Sequence, residues 1–356
     1  MNIVFNPPEN EENSYIGILV NALKEAQFTV YPLDNLLSSY RHFKSVKLIH
    51  LNWFENVDDS SLIKACTSFF RKLVVLTAIK LGRKKLIWTM HNRASHEKGL
   101  SIFSRILTRL LIRWADLIII HSWESKAILE KQDQHISAKV HYLPHPDFIG
   151  IYGPKLPIKK ADPGYLRLLF IGTVKPYKNI ELLIELVKEF HSSIHLTIAG
   201  KPYPPHYKQT LEALAQSAEN ITLKLTFIPN EELPILFEQA DLLALPYDLA
   251  SSLNSGTVIL AFSYGKTVIC PAIGTITDLQ DMRDHVLSYN YQTTEDHKVK
   301  LRQKMQEALQ LKQKDSNVFD RKGQYLYTYV GDKHNKQAVG QELARLYTTL
   351  LTPAKP

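Results

Sequence analysis

The chain reads as an α/β protein built from two Rossmann-like domains, each with a parallel sheet, and three observations predict it. Short β-rich runs alternate with helical patterns along most of the sequence. The runs are apolar throughout rather than at every second residue, as in strands covered by helices on both faces. The alternation breaks once, over a polar stretch with Pro and Gly beginning at Pro146, and then restarts. A chain of 356 residues is also long for one core and suited to two.

The elements follow in order. In a first domain, 1–150, the runs are NIVF, a helix from Tyr15 to Gln27, FTVYPL, LIHLN, a helix from Ser61 to Leu81, LIWTM, a helix from Ile102 to Trp114, LIIIHS and VHYLP. A linker is placed at 151–165. In a second domain, 166–336, RLLFIG leads to a helix from Asn179 to Phe190. Next come IHLTIAG, a helix from Tyr207 to Ala218, ITLKLTF and a helix from Glu231 to Gln239. DLLALPY, a short helix near Ser255 to Tyr264, and TVICP complete it. The pattern AVGQELARLYTTLL predicts a last amphipathic helix within 337–356, expected to return toward the first domain. Open parallel sheets bind ligands beyond the carboxyl ends of their strands, so two such domains facing each other make a cleft.

Composition narrows the function. Apolar residues at 45% and charged residues at 22% describe a folded globular protein. Two cysteines, Cys66 and Cys270, sit far apart in apolar stretches, which suggests neither a disulfide framework nor a thiol metal site and fits a reducing cytoplasm. The opening MNIVFNPPENEE lacks the basic flank and apolar run of a signal peptide, and no apolar run is long enough to span a bilayer. A protein neither secreted nor integral is expected. Between Lys64 and Arg113, twelve Lys or Arg stand against one acid, Glu97, while the whole chain is only +8. The basicity is therefore local, and an acidic partner is expected to face it.

Three places carry candidate chemistry. After RLLFIG come Gly172, Thr173, Val174, Lys175, Pro176, Tyr177, Lys178 and Asn179. Glycine permits close backbone approach, two lysines can meet a diphosphate, and Asn179 can cap the next helix. The plain alternative is a strand-to-helix turn with solvated lysines. After DLLALPY, which ends on Tyr247, a polar loop leads to Ser255, Gly256 and Thr257 at a helix start, where unpaired N–H groups suit a phosphate; ordinary capping by Ser255 is the competing reading. After LIWTM come His91, Asn92, His96 and Glu97, polar groups at a strand end that can orient or deprotonate a hydroxyl. His121 and His145 also end strands and are read as hydrogen-bonded structural residues.

The ordered motifs FIGTVKPYKN, LTIAGKP, FIPNEELPILFEQADLLALPYD and SLNSGTVILAFSYGKTVICPAIGT resemble the donor domain of the family 4 (group 1) glycosyltransferases, over most of Arg167 to Asp278. HLNW, which includes Asn52, with IWTMHNRASHE, ADLIIIHS and VHYLPHP, extends the resemblance to nearly the whole chain. It implies a GT-B fold and transfer of a sugar from a nucleotide-diphosphate donor. It implies that Lys175 and Lys178 neutralise the diphosphate, that Gly172, Thr173 and Tyr247 line the donor site, and that the Ser255–Thr257 helix start receives the same phosphates. Phe227 to Pro229 would lie near the base. His91 and Glu97 become the catalytic candidates, with Asn52, Asn92 and His96 on the acceptor side. The family's two glutamates, eight positions apart, are replaced here by Ser252 and Leu260, so the grip on the donor sugar and the stereochemical outcome do not carry over. An NSG motif with HN and HE in the first domain marks a subset of relatives that this chain resembles.

Arg105, Arg109 and Arg113 form a stripe at i, i+4 and i+8 on an otherwise apolar helix, and are expected to meet an anionic membrane surface from the cytoplasmic side. No nucleic-acid reading module is present, and no metal or other cofactor is expected, since lysines and a helix terminus already supply positive charge. The acceptor is expected to be a glycan or a lipid-linked sugar. A sugar-nucleotide epimerase of the same fold and an inactive donor-binding scaffold remain the alternatives.

Overall fold

The computed structural model describes residues 1–10, 13–57, 61–93, 101–157 and 164–352. These form two compact units, Met1–Pro146 with His334–Pro356, and Asp147–Lys333. The second unit thus begins at Asp147, inside the stretch expected to end the first domain, and 151–157 of the expected linker fall within it.

In the first unit the strands are β1 (Asn2–Asn6), β2 (Thr29–Tyr31), β3 (Leu48–Asn52), β4 (Lys85–Met90), β5 (Leu117–Ile120) and β6 (Val140–Tyr142). All pair in parallel, in the order β2-β1-β3-β4-β5-β6. Helices α1 (Ser14–Glu25), α2 (Tyr40–Ser45), α3 (Leu62–Leu81), α4 (Ser101–Trp114) and α5 (Trp123–Glu130) connect them. The middle strand β3 is buried at every residue, which is why LIHLN reads as an uninterrupted apolar run around one histidine. Ser61 caps α3 by accepting from Lys64 N, so the helix starts where its sequence signal stands.

The second unit repeats the plan with β7 (Leu166–Ile171), β8 (Ile194–Ala199), β9 (Ile221–Lys224), β10 (Leu242–Ala244), β11 (Thr267–Pro271) and β12 (Leu287–Tyr289), in the order β12-β11-β10-β7-β8-β9. Its helices are α6 (Ile180–Glu189), α7 (Tyr207–Ala215), α8 (Leu233–Gln239), α9 (Gly256–Ser263), α10 (Gly274–Thr277), α11 (Thr294–Lys314) and α12 (Val318–Lys333). From β7 the chain winds outward to β8 and β9, whereas from β10 it winds the other way. The crevice beyond β7 and β10 is therefore the topological switch point, where such sheets bind ligands. A final helix, α13 (Lys336–Leu351), packs on α1 in the first unit, with Gly340 against Ala22.

One buried ionic cluster holds β7 beside β10. Asp241, at the start of β10, accepts from the backbone N of Arg167 at 2.8 Å and from its guanidinium at 2.7 Å, and also from the Lys312 ammonium of α11. The Lys312 side chain is 1% exposed. Burial alone pushes the Asp241 carboxyl up, but the hydrogen bonds from Arg167 and Lys312 outweigh it and hold the group below the usual carboxylate range. Removing one partner of such a cluster leaves buried charge uncompensated. Asp241→Asn is expected to lower stability by about 3 to 5 kcal/mol, measured by urea unfolding of the full chain; an unchanged midpoint would show that the cluster contributes nothing net.

Candidate functional site

The residues at the switch point of the second unit converge. Gly172 follows β7 with φ +117, a region that side chains avoid. A Cβ added there would meet Thr257 Oγ1 at 3.5 Å and Lys178 Nζ at 3.6 Å, so glycine, lysine and helix start border one small space. Gly200, after β8, has φ +147, and a Cβ on it would lie 1.9 Å from the Gly172 carbonyl oxygen. The loop after β7 is thus pressed against the end of β8 with no room for a side chain. Thr173 stands in the same loop, half-buried.

Lys178 ends a single 3-10 turn, Pro176–Lys178, and is 8% exposed. Its ammonium lies 5.7 Å from the Phe170 ring centroid, and among the described residues no carboxylate comes within ion-pair distance of it. Burial, and to a lesser degree neighbouring Lys175, lower its pKa to about 8. Lys175 is half-buried over the Tyr203 ring at 5.1 Å. Asn179 does not cap α6 as expected. Its backbone is left-handed at φ 53, and its side-chain amide donates instead to the Pro246 carbonyl at 2.9 Å, tying this loop to the end of β10.

At the other side of the space, α9 starts at Gly256. Ser255 caps it, its hydroxyl accepting from Val258 N at 3.2 Å and donating to Tyr247 Oη at 3.1 Å. The backbone N–H of Ser255 donates to Thr275 Oγ1 at 2.9 Å. Ser255 is thus a brace, and the amides that the helix start can offer are those of Gly256 and Thr257. Tyr247 is buried behind Ser255 and braces it in turn. Thr275 ends the motif that begins at Ser252, yet it was not singled out as a site residue. Ser252 is buried and Leu260 half-buried on α9, where the resemblance led one to look for carboxylates. Phe227 is 54% exposed.

In the first unit the carboxyl ends of β4, β5 and β6 gather His91, His121 and His145 around Tyr15 of α1. His121 Nδ1 donates to the Leu143 carbonyl at 2.7 Å, which leaves Nε2 to accept the Tyr15 hydroxyl at 2.9 Å. His91 lies with its ring centroid 5.4 Å from that of Tyr15, and His145 at 4.9 Å. Asn52 fixes His91. Its Nδ2 donates to the Asn6 carbonyl at 3.1 Å, so Oδ1 faces His91 Nε2 at 3.0 Å and accepts its proton. The lone pair of His91 is then on Nδ1. Trp53, held at φ 49, stacks on the same ring at 4.0 Å; a bulky residue in that region is strained, and the stack orients His91. Asn92 is half-buried, while His96 and Glu97 lie outside the described residues.

Burial lowers the pKa of His91 well below the usual histidine value, and the neighbouring His121, His145 and His50 add to the effect. At neutral pH it is an uncharged imidazole, able to hold a hydroxyl or accept its proton but not to act as a cation. Tyr15, Trp53 and His50 were not read as site residues, because only the fold brings a helix residue and three strand ends together. Among the described residues, no group of three or more His, Cys, Asp or Glu side chains is placed to hold a metal ion. Arg105, Arg109 and Arg113 are exposed along α4.

Residues 155–318 match the family described as glycosyl transferases group 1. Over 277 residues, 74% of this chain and 71% of the relative, the sequence is 26% identical to a GDP-mannose:glycolipid 4-beta-D-mannosyltransferase of Xanthomonas campestris pv. campestris. The fold is similar to that of HepE from Anabaena, solved in complex with UDP, with a TM-score of 0.69 at 14% identity over 98% of this chain and 100% of that one. It is also similar to sucrose-phosphate synthase from Thermosynechococcus elongatus, with a TM-score of 0.72 at 16% identity over 99% of this chain and 100% of that one.

The histidine cluster makes a stability prediction. Burial lowers the pKa of His50 to about 3, of His121 to about 4 and of His145 to about 3, with histidine neighbours contributing in the same direction. Unfolded, the same residues take up protons near pH 6.5, so their contribution is complete above that pH and is lost as pH falls toward the folded values. Each adds about 1.4 kcal/mol of destabilisation per pH unit in that window. Melting of the full chain followed from pH 7 to 4.5 should fall steeply, and in His121→Asn less steeply by about one proton. Equal slopes would refute the assignment.

Proposed function

We propose, for a chain that is a glycosyltransferase of the GT-B fold with a group 1 domain at 155–318, that it moves a sugar from a nucleotide-diphosphate donor to a glycan or lipid-linked acceptor at an anionic membrane surface. The observation that carries the donor half is the buried Lys178 ammonium, with no acid at ion-pair distance among the described residues, sharing one space with Gly172 and Thr257. A diphosphate there would meet Lys175 and Lys178 on one side and the N–H groups of Gly256 and Thr257 on the other. The same charges stabilise the departing nucleotide as its bond to the sugar breaks, so no metal ion is required.

The acceptor side is the first unit. His91, with its lone pair fixed on Nδ1 by Asn52, holds the acceptor hydroxyl or takes its proton if the reaction inverts. If the reaction retains configuration, it hydrogen-bonds the donor sugar. Glu97 is the alternative base, and Asn92 and His96 follow β4 in sequence on the acceptor side. The relative's action on a glycolipid supports an acceptor of that class. Support for a membrane surface comes from α3, where Leu62, Ile63, Phe70 and Val74 are 59 to 79% exposed beside Lys64 and Arg71. Among the described residues no helix is long and apolar enough to cross a membrane. A peripheral position on the cytoplasmic face is part of this reading, supported by the exposed apolar and basic side chains of α3 and by the relative's glycolipid acceptor.

The donor reading is tested by thermal shift with nucleoside diphosphates and their sugars, with and without EDTA. One nucleotide should stabilise the protein, equally in EDTA, and Lys178→Ala should weaken it about tenfold or more. Lys178 carries its charge below about pH 8, so affinity should decline as pH rises past that value, by up to about tenfold per unit. Stabilisation lost in EDTA overturns metal independence, and indifference to Lys178→Ala overturns the site and favours a scaffold.

For the acceptor side, His91→Ala should reduce kcat by about a hundredfold or more with donor affinity retained. Full turnover in both His91→Ala and Glu97→Ala enzymes would remove these residues from the mechanism.

A further inference from the structure

A groove of about 920 Å³ in the first unit is bordered by the carboxyl end of β4 and by α4. Its apolar lining is Ile112, Met90, Trp88 and Leu129, all nearly buried, so only a narrow apolar strip faces the groove. The α4 arginines, Arg105, Arg109 and Arg113, all line it, so this stripe serves a concave site as well as an open surface. Successive members of the stripe stand one turn apart, about 6 Å along the axis.

The charges in the groove are unequal. Five bases line it, the three arginines with Arg93 and Lys139, against two acids, Glu55 and Asp133. Arg93 is paired with Glu124, and Lys139 is turned to the carbonyls of Ile112 and Arg113 that end α4. Glu55 is 7% exposed and accepts from the Trp88 indole N–H at 3.1 Å; burial pushes its carboxyl upward. Among the described residues neither Arg109 nor Arg113 has an ion-pair partner. The groove therefore combines a narrow apolar strip with two uncompensated guanidinium groups, and it begins at Asn92, the residue after His91.

We propose that this groove binds the diphosphate ester of an amphiphilic, lipid-linked acceptor. Arg109 and Arg113 contact the phosphate oxygens, with Arg105 beside them, and the first carbons of the lipid lie along the narrow apolar strip at Ile112 and Met90. Arginine suits the task because its planar fork meets two phosphate oxygens at once. The assignment rests on the acceptor reading given above and adds to it the chemical class that the acceptor presents. Phosphate recognition next to His91 positions the acceptor without drawing on the donor lysines, which lie in the other unit.

The test is a calorimetric titration of the full chain with inorganic pyrophosphate, in a Lys178→Ala background that weakens the expected donor site. Adding Arg109→Ala with Arg113→Ala should reduce pyrophosphate affinity by about tenfold or more, and Arg109→Lys with Arg113→Lys should fall between. Farnesyl diphosphate should bind more tightly than pyrophosphate and lose affinity in the same variants. With Lys178 intact, nucleoside diphosphate binding should be unaffected by the arginine changes, so a failure of the donor reading is seen separately. Pyrophosphate affinity that ignores both arginines overturns the proposal, as does pyrophosphate binding abolished by Lys178→Ala alone. So does loss of binding to phosphatidylglycerol vesicles in the arginine variant with pyrophosphate affinity unchanged, which would make the stripe a lipid-surface patch. Both arginines are exposed, and an unchanged melting temperature of the variant confirms that it folds.

Discussion

The second unit depends on what holds β7 against β10, because the space between their carboxyl ends is where its chemistry converges. Asp241 makes the lower clamp, joining the start of β10 to the Arg167 backbone and guanidinium on β7 and to Lys312 on α11. Asn179 makes the upper one, its amide bridging from the loop after β7 to the Pro246 carbonyl beyond β10. The first is buried charge, costly to desolvate and costly to break; the second spends a side chain that sequence assigns to capping. Between the clamps, Gly200 packs against the Gly172 carbonyl so closely that the loop has one available path. That path brings Lys178 opposite α9, so the positions of the charged groups follow from backbone contacts some distance below them.

The first unit solves a related problem with neutral groups. Parallel strands ending together leave polar side chains in an apolar interior, and each needs a partner. Leu143, Tyr15, Asn6 and Asn52 supply them in a connected set, and the set decides which nitrogen of His121 and of His91 carries a proton. His50 joins the same layer to α13 through Tyr347 at 2.5 Å and to Thr89 at 2.6 Å. The last helix of the chain thus supports the strand ends that carry His91.

Much of this was legible in the residues. Uninterrupted apolar runs marked the central strands, and the glycine, lysine and serine loops stood after the strands that the switch point uses. What was missed lies mainly at 287–333. Helix α11 buries His297, Leu301, Met305, Ala308 and Lys312, a stripe at helical spacing, but two of its five members are a histidine and a lysine, and an apolar-only pattern does not register them. The network around Tyr15 is tertiary, joining residues more than a hundred positions apart. Asn179 misled because a left-handed backbone turns its side chain away from the helix it precedes. The arginine stripe was placed on the right helix face for exposure, whereas the groove beside it exists only once α4 lies along β4.

The missing glutamates and the weakened basicity of Lys178 have a common explanation. Asp248 is the acid in the loop leading to α9, and its oxygens are occupied within the loop, accepting from Ala250 N at 3.0 Å and from Ser251 Oγ at 3.1 Å. Among the described residues no carboxylate comes within ion-pair distance of the buried ammonium to stabilise it, while burial and Lys175 both disfavour its charge. On the proposed donor reading, a bound diphosphate would supply that stabilisation. Diphosphate binding would raise the Lys178 pKa and draw in a proton wherever the lysine was uncharged beforehand, so discrimination against nucleosides without a diphosphate is built into the same group that binds it. On the proposed donor reading, with Ser252 and Leu260 where carboxylates would stand, neutral groups would select the sugar, a weaker filter on its hydroxyls than carboxylates supply.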